Sequence, residues 1–87
     1  MIEVQNIIVG SINLAKIKDI DRFLQIINKY DGYYILKHNT FEVEAKSIMG
    51  IFSLNLEEDL TLIAKKAKAI DADNLNKALK EANLLKN

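Results

Sequence analysis

The spacing of apolar residues changes along this chain, and that change limits the folds it can adopt. Between residues 13 and 30, apolar residues recur three and four positions apart, which gathers them on one face of a helix. The segment 41–45 instead reads FEVEA, where apolar residues alternate with glutamates as in a strand with two different faces. A chain with both periods is expected to pack helices against a sheet. The residues of the helical stripe are Ile17, Ile20, Phe23, Leu24 and Ile27.

The remaining segments complete a predicted order of elements. Residues 2–9, 33–36, 40–45 and 60–64 are β-rich, and Gly10 bounds the first of these runs. The second and third runs are separated by a short polar link, which predicts a hairpin. Favoured N-cap residues precede the helical segments: Asn13 before the first, Ser47 before a short second, and Asp71 or Asp73 before the last. The predicted order is β-α-β-β-α-β-α, an α+β fold.

Length and composition narrow the class of protein. The 87 residues contain no cysteine and no proline, which predicts a single domain over residues 1–87 without disulfides. No apolar run is long enough for a membrane span, and the first residues do not resemble a secretory signal, so we expect a cytoplasmic protein with no membrane partner. Twelve basic residues balance twelve acidic ones, which argues against nucleic acid as a partner. The basic run Lys65, Lys66 and Lys68 is expected to be a solvated strand end or turn.

The sequence contains few residues that could bind a metal or a cofactor. His38 is the single histidine and falls in the predicted hairpin link, where we assign it no role. One imidazole without a cysteine cannot build the common zinc sites, and the carboxylates show no ligand spacing. We therefore expect neither a metal nor a cofactor.

The segment Lys46 to Gly50, with the letters KSIMG, resembles the phosphocarrier family HPr of the bacterial sugar phosphotransferase system. The context is similar as well, since Lys29-Tyr30-Asp31 resembles the end of the family's first helix. The resemblance implies an open-faced β-sandwich whose four antiparallel strands have the order 1-4-2-3, covered on one face by helices. It also implies that Ser47 is the target of HPr kinase.

By the same resemblance, the short helix after Ser47 belongs to a surface that binds partner proteins. Four apolar residues of this helix cannot all face inward, and Met49 is the residue expected to be most exposed. The residues that the resemblance places on this surface are Ile48, Met49, Ile51 and Phe52, together with Lys16 and Lys18. For any single one of the four apolar residues, burial in the core is the safer interpretation.

The loop that carries phosphate in the family is different here. With the spacing from Tyr30 kept, Lys16 stands at the position of the active histidine, Lys18 at that of the arginine and Asp19 at that of the proline. A lysine, with a reference pKa of about 10.4, is protonated at neutral pH and has no lone pair with which to attack a phosphoryl group. We expect no catalytic residue and no enzymatic activity. The helix start near Lys16 and Lys18 could bind an anion weakly, although ordinary solvated lysines are the better interpretation.

These features predict a regulatory member of the family that binds partners and is switched at Ser47. The resemblance is to the Crh-like branch, which lacks the active histidine but keeps the serine. Its implied partners are HPr kinase, a transcription factor or transport-system proteins. Two alternatives remain: a phosphocarrier with a different nucleophile, and an interaction module that shares the fold but not the link to sugar transport.

Overall fold

The fold places helices on one side of an antiparallel sheet. The computed structural model describes residues 4–86, so Ile2 and Glu3 of the first predicted strand lie outside the described residues. The predicted α+β class is confirmed. The elements in chain order are β1 Gln5–Ile12, α1 Ile17–Ile27, β2 Tyr33–His38, β3 Phe41–Glu44, α2 Ile48–Phe52, β4 Leu60–Ala67, α3 Ala69–Glu81 and β5 Leu85–Lys86.

The sheet has five strands in the order β3-β2-β4-β1-β5, and every neighbouring pair is antiparallel. The strand β5 was not predicted. Leu85 follows Leu75 and Leu79 at helical spacing, which predicts that it continues the apolar stripe of the last helix, but it pairs with Ile12 of β1 instead. The helix ends earlier because Asn83 adopts a positive φ of 59°, which turns the chain back towards the sheet.

One face of the sheet and the helices enclose a single core. Leu60, Leu62 and Ala64 point to this side from β4, and Phe23 of α1 and Leu75 of α3 pack in the same cluster. The other face carries exposed side chains such as Ile8 and Tyr33, together with the buried Ile35, which lies outside the core cluster. No charged residue is buried among residues 4–86, so the described core is held by apolar contacts.

The helix starts differ from the prediction. Lys16 and Lys68 occupy the N-cap positions of α1 and α3, and neither contributes a side-chain capping hydrogen bond. Asn13 forms a local turn instead, in which its Oδ1 accepts from the backbone N–H of Ala15 at 3.2 Å. Asp71 and Asp73 lie inside α3. The prediction failed because capping preference alone does not determine where a chain that leaves a strand can first turn into a helix.

Gly10 lies inside β1 and does not end it, which corrects the prediction that it bounds the first strand. The pairing of β1 with β4 shifts register twice, between Gln5 and Ile7 and between Ile8 and Gly10. A Cβ at position 10 would lie 2.8 Å from Cδ2 of Leu85. The glycine therefore allows the strand and β5 to approach each other at this irregular point.

The predicted hairpin is present, although β2 is longer than the predicted run 33–36, β3 is shorter than the predicted run 40–45, and the link is shorter. His38 pairs with Phe41, so only Asn39 and Thr40 lie between β2 and β3. Asn39 has φ 55°, a conformation that asparagine accepts more readily than most residues. Among residues 4–86, no helix is both long and apolar enough to cross a membrane.

Candidate docking surface at the second helix

Ser47 caps α2, as predicted. Its Oγ accepts a hydrogen bond from the backbone N–H of Gly50 at 3.1 Å, and its backbone is extended with φ −99° and ψ 112°. This geometry satisfies one of the N–H groups that a helix start leaves without a partner. A Cβ at Gly50 would lie 3.2 Å from Cβ of Val43, so the glycine lets α2 lie close to β3.

Three large apolar side chains of α2 face outward. Met49 is 79% exposed, and Ile48 and Phe52 are each 51% exposed. Together with the half-buried Ser47 they form what we call the α2 surface, which consists of Ser47, Ile48, Met49 and Phe52. Exposed apolar side chains grouped in one place are typical of a surface that binds another molecule.

Ile51 does not belong to this surface, which corrects the prediction that placed it there. Its side chain is fully buried, and it belongs to the same cluster as Phe23 and Leu62. In a helix of only five residues, one side chain must attach the helix to the core, and Ile51 has that role.

The residue before Ser47 connects the start of α2 with the turn that follows α1. Nζ of Lys46 donates a hydrogen bond to the carbonyl oxygen of Tyr30 at 2.6 Å. It also lies 5.5 Å from the ring centroid of Tyr34, within cation–π distance. Both contacts of the Lys46 ammonium group are therefore with groups of the protein itself.

The loop between β1 and α1 carries the other predicted site residues. Lys16 and Lys18 are both exposed at the start of α1, and Ile17 between them is 77% exposed. The loop is held by Asn13, whose Nδ2 donates to Oδ1 of Asp59 at 3.1 Å. Two solvated lysines at this position can attract an anion only weakly.

The lysines at the start of α1 and the α2 surface are not bonded to each other. Within residues 4–86, no hydrogen bond or ion pair connects Lys16 or Lys18 with the α2 surface. Arg22, one turn further along α1, bonds to Asp19 at 3.2 Å and to the carbonyl oxygen of Ala82, so it braces α1 against the end of α3. Among the same residues, no group of three or more potential metal ligands comes together.

The predictions did not include a cavity beside the C-terminal end of α2. It has a volume of about 390 Å³ and contains His38, which lies at the end of β2 and not in a loop. Nε2 of His38 is 3.2 Å from Oε2 of Glu58. No local signal marks this cavity, because segments far apart in the sequence form it. Its lining residues are His38, Asn39, Thr40, Phe41, Ser53, Leu54 and Asn55.

Comparison with known proteins gives no relative for this chain. No protein-family model matches the sequence, and no curated protein or solved structure matches it either.

Proposed function

We propose that this protein is a regulatory module of the HPr-like type that binds partner proteins through the α2 surface and is switched by phosphorylation of Ser47. The observation that carries this proposal is the position of the Ser47 hydroxyl next to the exposed side chains of Ile48 and Met49. The neighbour order β1-β4-β2-β3 within the sheet agrees with the order that the resemblance implies, and so supports the proposal.

The chemistry of phosphoserine explains how the switch would act. A phosphate adds a charge of about −1.5 to −2 at neutral pH. At Ser47 this charge would stand beside an apolar contact area, where it would repel an acidic partner or attract one that carries arginine or lysine. Lys46 is already bonded to Tyr30, so the new charge is directed to the partner more than to the domain itself.

The first loop supports a binding role over phosphate transfer. Lys16 and Lys18 are solvated, and no histidine lies in the segment 10–19. A carrier needs a nucleophile that is unprotonated at cellular pH, which imidazole supplies and an ordinary lysine does not. The proposed module therefore receives a regulatory phosphate on Ser47 and passes none on.

The intact mass after incubation with HPr kinase and ATP tests the switch. We expect a gain of one phosphate on the wild type and on Ser53→Ala, and no gain on Ser47→Ala. Ser53 is a suitable control because it lies at the other end of α2 and is exposed. If the wild type gains no phosphate while a control HPr is fully modified, Ser47 is a helix cap and the proposed switch is wrong.

A second experiment tests the docking surface separately. Proteins captured by the wild type should be lost with Met49→Glu and kept with Ile70→Glu, since Ile70 is 61% exposed on α3, outside the α2 surface. Equal loss with both variants would mean that exposed apolar side chains bind nonspecifically, and would contradict docking through α2.

A further inference from the structure

The face of the sheet opposite the core carries a second cavity, which no residue of α2 lines. It has a volume of about 540 Å³ and is lined by Asn6, Tyr33, Lys65 and Lys66. Tyr33 of β2 and Lys65 of β4 are direct partners in the sheet, and the neighbouring pair, Tyr34 and Ala64, faces the core side. Tyr33 is 53% exposed, so its ring forms an accessible flat wall.

An unusual backbone conformation brings two lysines to this cavity. Consecutive residues of a regular strand point to opposite faces, yet Lys65 and Lys66 both line the same cavity. The reason is the positive φ of 49° at Lys66, which interrupts the alternation. Oδ1 of Asn6 accepts a hydrogen bond from the backbone N–H of Lys66 at 3.0 Å and holds this conformation. Strained conformations of this kind persist where the surrounding structure imposes them, often at binding sites.

The charges at the cavity are one-sided. No carboxylate lines it. Within residues 4–86, no acidic group lies within 4.0 Å of either ammonium group. Because Oδ1 of Asn6 is used by Lys66, its Nδ2 amide remains as a further donor. Two cations and an amide donor beside an exposed aromatic ring fit a ligand that combines an anionic group with a flat ring.

We infer that this cavity binds a nucleotide, with its phosphate at Lys65 and Lys66 and its base stacked on Tyr33. Phosphate oxygens accept well from ammonium and amide N–H groups, and every base has a flat face that can stack on tyrosine. A free nucleotide fits better than a nucleic acid strand, because the chain has a formal net charge of +0 and so no general attraction for a polyanion.

A titration with adenosine 5′-monophosphate, followed by backbone amide NMR shifts of the full chain, tests the inference. We expect shifts centred on Asn6, Tyr33, Lys65 and Lys66, with much smaller changes on addition of adenosine or of inorganic phosphate alone. Equal binding of inorganic phosphate would reduce the cavity to an anion site and overturn the nucleotide assignment. No shift at millimolar nucleotide would overturn it as well. A short oligoadenylate that binds far more tightly than the mononucleotide would identify a nucleic acid site instead.

Three variants and one control make the test specific to the cavity. Lys65→Gln and Lys66→Gly should each raise the Kd for the nucleotide about tenfold, as expected for the loss of a charged hydrogen bond. Glycine accepts the positive φ at position 66, so the backbone is retained while the ammonium group is removed. Tyr33→Leu should raise the Kd for the nucleotide but leave the binding of inorganic phosphate unchanged.

The control variant is Lys37→Gln. Lys37 lies on the same face of β2 as Tyr33 but pairs with Thr61, outside the cavity. The Kd of Lys37→Gln for the nucleotide should equal that of the wild type. If Lys37→Gln weakens binding as much as Lys65→Gln does, the nucleotide is attracted by the general charge of the sheet face and the assigned site is wrong.

Discussion

At the scale of single residues, Ser47 has a structural role that does not depend on phosphorylation. Its Oγ accepts from Gly50, so we expect Ser47→Ala to lower the free energy of unfolding by about 0.5–2 kcal/mol. Ser47→Asp should stay close to the wild type, because an aspartate at the N-cap accepts the same hydrogen bond. Urea denaturation of the three proteins measures both effects. Equal losses in the two variants would show that the cap contributes nothing.

Lys66 offers a second test at this scale, because its backbone conformation is costly for any residue with a Cβ. Replacing it by glycine should raise the free energy of unfolding by up to about 1 kcal/mol, the relief of the left-handed conformation less the extra entropy of glycine in the unfolded chain. Lys65→Gly is the matched control and should lower stability, since Lys65 lies in the regular part of β4. Urea denaturation that places the two variants in the opposite order would contradict the conformation of Lys66.

At the scale of elements, α2 divides its side chains between attachment and exposure. We expect Ile51→Ala to cost about 2–5 kcal/mol, because it leaves a cavity in the core. Met49→Ala should change stability by no more than about 0.5 kcal/mol, since its side chain is 79% exposed. Thermal or urea unfolding distinguishes the two. A large loss for Met49→Ala would mean that the α2 surface is covered in the native protein.

Helices and strands differ in how well the sequence predicts them. The stripe of α1 and the alternation of β3 come from local spacing, so their type was predicted correctly. Their ends depend on contacts with other elements, as with Lys16 at the start of α1. The strand β5 has only two residues, and pairing with β1 defines it more than any preference of its own.

The candidate site shows the same limit. Ser47 as a cap and Met49 as an exposed residue followed from residue types and a short helix. Which of the apolar residues of α2 turns inward depends on where the core lies, and the sequence did not identify Ile51. The sequence also did not predict that Lys65 and Lys66 lie together. The alternation of side chains along a strand predicts opposite faces for them, and only the positive φ at Lys66 places both at one cavity.

At the scale of the whole molecule, stability at high pH depends on a tyrosine under the helix layer. Burial raises the pKa of Tyr34 above its usual value of 10.0, and the negative charges of Asp71 and Asp31 raise it further. The folded state thus holds this proton more tightly than the unfolded chain. The resulting stability is fully present below about pH 10 and is lost as the pH rises from there through the raised pKa.

Tyr34→Phe removes this contribution, since phenylalanine does not titrate. Between about pH 8 and about pH 11, we expect its free energy of unfolding to fall less than that of the wild type. The control is Ser53→Ala, which leaves every titratable side chain in place and should decline as the wild type does. Urea denaturation at several pH values measures the difference, and parallel declines for Tyr34→Phe and the wild type would contradict the effect of burial on Tyr34.

The two edges of the sheet bear on how this protein behaves at high concentration. An edge strand presents unpaired backbone groups to which another chain can add, and short or charged edges oppose such association. One edge here is β5, whose two residues pair only with Ser11 and Ile12 of β1, and the other is β3, with four residues that include Glu42 and Glu44. The charges of Glu42 and Glu44 oppose the addition of another chain to β3, so replacing both by uncharged residues would allow fibril-like assembly to start at that edge.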